Sequence, residues 1–205
     1  MRALILVDLQ YDFCPGGALA VARGDETIEV ADRLLPYFST IVATQDWHPP
    51  DHQSFAPQHP GRKPGDMIEL GGLPQVLWPP HCVQGTHGAE LHAGLPRARI
   101  TEVFHKGTDR TIDSYSGFFD NGHKKSTGLA DWLRERWISR VYVMGLATDY
   151  CVKATALDAL ELGFSTWVIE DGCRAVELAP GDGERALSAM RNAGVTIVES
   201  GSIGS

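Results

Sequence analysis

Three residues able to share a covalent hydrolysis stand where apolar runs of the sequence end: Asp8, Lys106 and Cys151. Asp8 follows the run Ala3–Val7. Lys106 follows Ile100–His105 and precedes Gly107. Cys151 lies just beyond Arg140–Met144, in Gly145-Leu146-Ala147-Thr148-Asp149-Tyr150-Cys151. A thiol needs a proton acceptor to become a nucleophile and a cation to hold the resulting charge; a carboxylate and an ammonium supply both. Each residue also has a plainer reading. A carboxylate at a strand end commonly turns or caps the chain, a lysine is commonly exposed, and a free cysteine commonly packs in a core. For Cys151 the setting favours chemistry. With Thr148 or Asp149 capping the helix expected here, the thiol falls in its first turn, where the helix N-terminus lowers a thiol pKa. Cys14, Cys82 and Cys173 have no such setting and read as core residues.

A second group suits a metal ion. In an extended chain, Asp46 and His48 of Thr44-Gln45-Asp46-Trp47-His48 point to the same side. His81 sits on a proline-stiffened loop, Trp78-Pro79-Pro80-His81-Cys82. Mixed imidazole and carboxylate ligands suit Zn, Fe or Mn better than Ca or Mg, and three protein ligands leave a position open for substrate. His52 and His59 are further candidates, whereas His87, His92 and His123 read as surface residues. Phe13 and Trp78 have the shape to wall a flat aromatic pocket, or else pack locally.

Alternating elements must bring these residues together. Helical periodicity marks Glu26–Phe38, Thr127–Trp137, Tyr150–Leu162 and Gly183–Asn192. Short apolar runs mark strands at Ala3–Val7, Thr40–Thr44, Ile100–His105, Arg140–Met144, Ser165–Ile169 and Val195–Val198. The pattern predicts a single three-layer α/β/α domain over residues 1–205, built on a six-stranded, mainly parallel sheet. Such sheets bind ligands beyond the carboxyl ends of their strands. The stretch from about 47 to 97, rich in Pro, Gly and His, is too long for an ordinary connection and reads as an inserted metal-site and substrate region. Ser200–Ser205 reads as a flexible tail.

The formal net charge of -8 argues against a general nucleic-acid binder. No apolar run approaches the roughly 20 residues of a membrane span. The N-terminal residues lack the pattern of a secretory leader, and four scattered cysteines read as free thiols, so a cytoplasmic location is expected.

The whole chain resembles the nicotinamidases (pyrazinamidases) of the isochorismatase-like cysteine hydrolases. The resemblance is carried by Asp8-Leu9-Gln10-Tyr11-Asp12-Phe13, Thr44–Pro49, Trp78–Val83, Lys106-Gly107, Asp113-Ser114-Tyr115-Ser116 and Gly145–Val152. It implies metal-dependent hydrolysis of nicotinamide to nicotinate and ammonia within NAD salvage, with pyrazinamide as a second substrate. By resemblance, Asp8, Lys106 and Cys151 are catalytic, and the backbone N–H groups of Ala147 and Cys151 form an oxyanion hole. Asp46, His48 and His81 hold one divalent transition metal, zinc foremost with iron or manganese as alternatives, and His52 is left open as a fourth ligand. Phe13, Trp78 and Tyr115 contact the substrate ring, a cis peptide joins Leu146 to Ala147, and a homo-oligomer is left open. Three other readings compete: a carbamoyl or ureido amidase, which would lack the metal cluster; a metallohydrolase with Cys151 as bystander; and a non-catalytic binding module, which would have lost a triad residue.

Overall fold

Every residue from Ala3 to Val7 is fully buried, as a strand covered on both faces and both edges requires. The computed structural model, which describes residues 1–204, places this strand inside the sheet. In chain order the elements are β1 (Arg2–Val7), α1 (Glu26–Leu34), β2 (Ile41–Asp46), β3 (Met67–Leu70), β4 (Leu73–Val76) and β5 (Glu102–Lys106). They continue with α2 (Leu129–Glu135), β6 (Arg140–Leu146), α3 (Lys153–Glu161), β7 (Ser165–Arg174), α4 (Asp182–Ala193) and β8 (Thr196–Val198).

The main sheet has six strands in the order β5-β2-β1-β6-β7-β8, and every pairing in it is parallel. Leu4 faces Ile41 of β2 on one side and Tyr142 of β6 on the other. Successive strands move outward in opposite directions from the β1–β6 pair. Right-handed crossovers therefore put α1 on one face and the mutually packed α3 and α4 on the other. The α/β/α fold read from the sequence is the fold observed, with the sheet parallel throughout. α1 stops earlier than expected, at Leu34; Pro36 lacks the N–H that would extend it, and a short 3-10 turn, Leu35–Tyr37, follows.

The β1–β6 junction is tight. Gly145 has φ 131°, and a Cβ there would lie 2.1 Å from the Val7 carbonyl oxygen. Only glycine lets the two strands meet just before the residues of the site.

Two regions depart from the sequence expectation. The stretch from 47 to 97 contains an antiparallel hairpin, β3–β4, that the apolar runs did not reveal. Its strands turn at Gly71-Gly72, both with positive φ (60° and 84°), the dipeptide that tight hairpins favour. Half-exposed strands and Pro74 inside β4 masked it. The C-terminal segment is anchored rather than loose: Ser200 donates from its backbone and its hydroxyl to Asp171, and Ile203 is buried. Ser205 lies outside the described residues. No described helix is long and apolar enough to cross a membrane.

A methyl group at position 145 would collide with the backbone of β1. Gly145→Ala is therefore expected to destabilise the fold by about 3 kcal/mol, measured as a lowered urea midpoint with unchanged slope.

Candidate active site

Four strand ends converge on one lysine. Lys106, the last residue of β5, is fully buried at its side chain and reaches across the end of β2, whose Asp46 is its register partner. Its Nζ lies 2.9 Å from Asp8 Oδ2, 2.5 Å from Asp46 Oδ1, 2.9 Å from the Ser114 carbonyl oxygen and 3.4 Å from Cys151 Sγ. An ammonium has three protons to donate, so four acceptors compete for it. Burial alone would lower the Lys106 pKa, but Asp46 and Asp8 outweigh it and hold the group charged, well above the ordinary lysine range.

Asp8 follows β1 with φ 48°. Its Oδ1 accepts a 2.6 Å hydrogen bond from Thr44 Oγ1. Its Oδ2 accepts no aligned hydrogen bond among the described residues. Burial raises the Asp8 carboxyl to about 6, with Lys106 opposing the rise. A Cys151 Sγ within 4.8 Å of the carboxylate thus faces an acceptor with a spare lone pair.

Cys151 does not sit in the first turn of a capped α-helix. The chain leaves β6 through a cis Leu146–Ala147 peptide and makes a wide π turn, Thr148–Val152, before α3 begins at Lys153. No side chain caps this turn. The Asp149 carboxylate points elsewhere, accepting from the backbone N–H groups of Val176 and Glu177. Nor is the thiol pKa lowered as a helix start would predict. Burial pushes it well above the ordinary value, Lys106 pulls it down, and Asp8 and Asp46 push it up again. Such a thiol reacts only if its proton is taken as the bond forms, which gives Asp8 its importance.

Asp46, His48 and His81 offer ligand atoms that all lie within 4.8 Å of one another, and all three residues are buried. His48 Nδ1 donates to the Gly107 carbonyl and His81 Nδ1 to the Pro79 carbonyl, each at 2.8 Å. Each ring therefore turns an Nε2 lone pair toward Asp46 Oδ2, at 3.5 and 3.8 Å. His48 Nε2 is buried with no hydrogen-bond partner among the described residues. That orphaned lone pair, in a mixed N and O set, fits a divalent transition metal. Gly107 makes the arrangement possible: at φ +63°, a Cβ there would lie 2.3 Å from His48 Cε1. Burial pushes His81 down to about 4, keeping it neutral as a ligand must be. For His48 burial acts in the same direction, but Asp46 outweighs it and the pKa rises. His52 forms a second buried group of possible ligands with His48 and Asp113; its Nδ1 lies 2.7 Å from Ser54 Oγ and its Nε2 3.3 Å from the Ile112 carbonyl oxygen.

Between these groups opens a cleft lined by Phe13, Trp78, Tyr115 and Val176 together with Ala147, Cys151, Asp46 and His81. Sequence patterning missed the residues that hold it in shape. Gln75, on the unforeseen hairpin, donates to Asp113 Oδ2 and Tyr115 Oη. Gln10 exchanges hydrogen bonds with the Asp46 backbone at 2.8 Å each. Asp12 accepts from Cys82 N and Ala18 N, tying the Phe13 loop to the His81 loop. A buried glutamine in a motif such as Asp8-Leu9-Gln10 was the available signal, since a buried amide must find partners.

The isochorismatase domain family matches residues 2–202. The chain belongs to the isochorismatase family. It is 54% identical to the nicotinamidase of Escherichia coli over 200 residues, covering 96% of this chain and 93% of that protein. A solved Acinetobacter baumanii nicotinamidase-pyrazinamidase superposes with a TM-score of 0.94 at 48% identity, over 98% of this chain and 96% of that one. The Pyrococcus horikoshii pyrazinamidase, solved in complex with zinc, superposes at 0.78 with 40% identity, over 97% of this chain and 98% of that one.

The histidines should differ in their effect on metal, because His48 belongs to both groups of possible ligands and His52 to one. His48→Ala should weaken zinc binding by more than about 100-fold, whereas His52→Asn should keep stoichiometric metal within about tenfold of the parent affinity, counted by chelator competition and elemental analysis.

Proposed function

We propose that the protein is a metal-dependent cysteine amidohydrolase that converts nicotinamide to nicotinate and ammonia. The observation that carries this reading is the single buried ammonium of Lys106 in reach of an acid, a thiol and a carboxylate that faces two histidines, beside a cleft lined by Phe13, Trp78 and Tyr115. The nicotinamidases and pyrazinamidases among its relatives support the substrate. Pyrazinamide, with the same carboxamide on a similar ring, is a second substrate. The reaction returns nicotinamide to pyridine-nucleotide synthesis in NAD salvage, in the cytoplasm.

Phe13, Trp78 and Tyr115 hold the ring, which presents its carboxamide to Cys151. Asp46, His48 and His81 would hold one divalent transition metal, with zinc favoured by the zinc-bound relative; when bound, it supplies a Lewis-acid anchor for the ring nitrogen. Asp8 takes the Cys151 proton on Oδ2 as Sγ attacks the carboxamide carbon. The N–H groups of Ala147 and Cys151 hold the developing oxyanion, a contribution on the order of 10²–10³ in turnover for each donor. Asp8 then protonates the departing ammonia, leaving a thioester on Cys151. A water molecule, giving its proton to Asp8, releases nicotinate and restores the thiol. Lys106 keeps Asp8 in place and offsets negative charge at sulfur.

The deciding test is ammonia release from nicotinamide by zinc-loaded enzyme, repeated with Cys151→Ala. The variant should lose at least about 10⁴-fold in kcat and still bind nicotinamide in a calorimeter. Normal turnover by the variant would eliminate the thioester route. The acid limb of kcat/KM has a definite sign. Only ionised Asp8 takes the thiol proton, so the rate should fall as pH drops through about 6. Thr44→Val removes a hydrogen bond that favours the carboxylate, so it should move this limb to higher pH.

A further inference from the structure

Asp149 stands in the turn that carries the nucleophile, yet it touches neither the thiol's lysine nor the metal-ligating trio. Its side chain reaches the segment after β7. One carboxylate oxygen accepts from Val176 N at 2.9 Å and the other from Glu177 N at 3.0 Å. Asp149 is itself almost fully buried, at 5% exposure, and both bonds are partly buried. Val176 is half-buried and lines the same cleft as Cys151 and Ala147. The next residue, Glu177, has φ 58°, a conformation that a non-glycine residue holds only where its surroundings impose it. Its own carboxylate closes the segment, accepting from Gly181 N at 2.6 Å and Gly183 N at 2.8 Å at the start of α4. Gly183 leaves room for that carboxylate; a Cβ there would come 2.9 Å from Glu177 Oε1.

We infer that Asp149 is a positioning residue that pins Val176 as a wall of the substrate cleft, and so sets how firmly the cleft grips its ring rather than how fast the bond is broken. Two adjacent N–H donors need two acceptors. A carboxylate has them, whereas an amide of the same shape has one acceptor and an NH₂ group that would oppose the second N–H. The clamp also fixes distance: it joins the nucleophile's own turn to the opposite wall, so the gap between Cys151 and Val176 is set within one rigid unit.

The inference rests on the amidase reading of the cleft, and its test is a double-mutant cycle on nicotinamide hydrolysis with Asp149→Asn and Val176→Ala. Each single variant should raise KM by about tenfold while kcat stays within about threefold. Because Asp149 acts through Val176, the double variant should raise KM no more than about twofold beyond the larger single effect. Multiplicative KM effects in the double variant, or a fall in kcat with KM unchanged in Asp149→Asn, would overturn it. So would an unchanged KM in Val176→Ala, a result that does not depend on the Asp149 variant folding. A parent enzyme inactive on nicotinamide would count against the reaction and not against the clamp, which hydrogen exchange reads without substrate. Exchange at the Val176 and Glu177 amides should accelerate by about tenfold or more in Asp149→Asn; unchanged protection there would refute the clamp.

Discussion

A buried ammonium is costly unless its charge is answered at close range, and the site is arranged around that constraint. Lys106 has no exposure at its side chain, so the ends of β1 and β2, the segment after β5 that carries Ser114 and the turn after β6 must each bring an acceptor to it. Asp8 and Asp46 bring two negative charges to one positive charge. The surplus negative charge falls on Asp46, whose second oxygen faces the two histidines. A proton on His48, whose pKa the Asp46 carboxylate raises, answers that need. The Lys106 cluster, with Asp8 and Cys151, and the His48–His81 pair are therefore one electrostatic unit, joined through a carboxylate whose oxygens face opposite partners.

Much of this was legible in the sequence because it follows from strand ends. A parallel sheet needs apolar runs to fill it, and the residues that stop those runs land together on one face of the domain. Asp8, Asp46, Lys106 and the turn to Cys151 were found that way. The environment of each group was not legible. The expected low thiol pKa assumed a capped, solvated helix start; burial and two carboxylates reverse it. Asp149 has the residue type of a cap, but its backbone partners lie 27 and 28 residues further on, and no local pattern announces such a bond. His52, left open as a ligand by its spacing from His48, groups with His48 and Asp113 in the fold while its ring nitrogens also lie beside Ser54 and Ile112.

The long segment between β2 and β5 explains why its role was visible and its structure was not. It contributes His48, Trp78 and His81, and it is held less by a core of its own than by polar ties to neighbouring segments. Gln10 and Gln45 both donate to the Ala89 carbonyl, Asp12 holds Cys82, and Gln75 holds Asp113. These buried amides and carboxylates work beside scattered apolar anchors such as Phe55, Leu77, Leu91 and Leu95, which follow no helical or strand period, so hydrophobic periodicity had little to report. The one regular element, β3–β4, is marked by its Gly71-Gly72 turn rather than by its strands.

The strand order has a consequence for synthesis of the chain. β1, β2 and β5 are neighbours in space and complete by residue 106, but the other edge of β1 is covered only by β6, which begins at Arg140. Until β6 emerges, the growing polypeptide carries an unpaired strand, apolar from Ala3 to Val7, at the border of a partial sheet. Such borders recruit other chains. The junction that makes the site thus closes only after β6 has been made, and the interval before it closes leaves a nascent molecule exposed to aggregation.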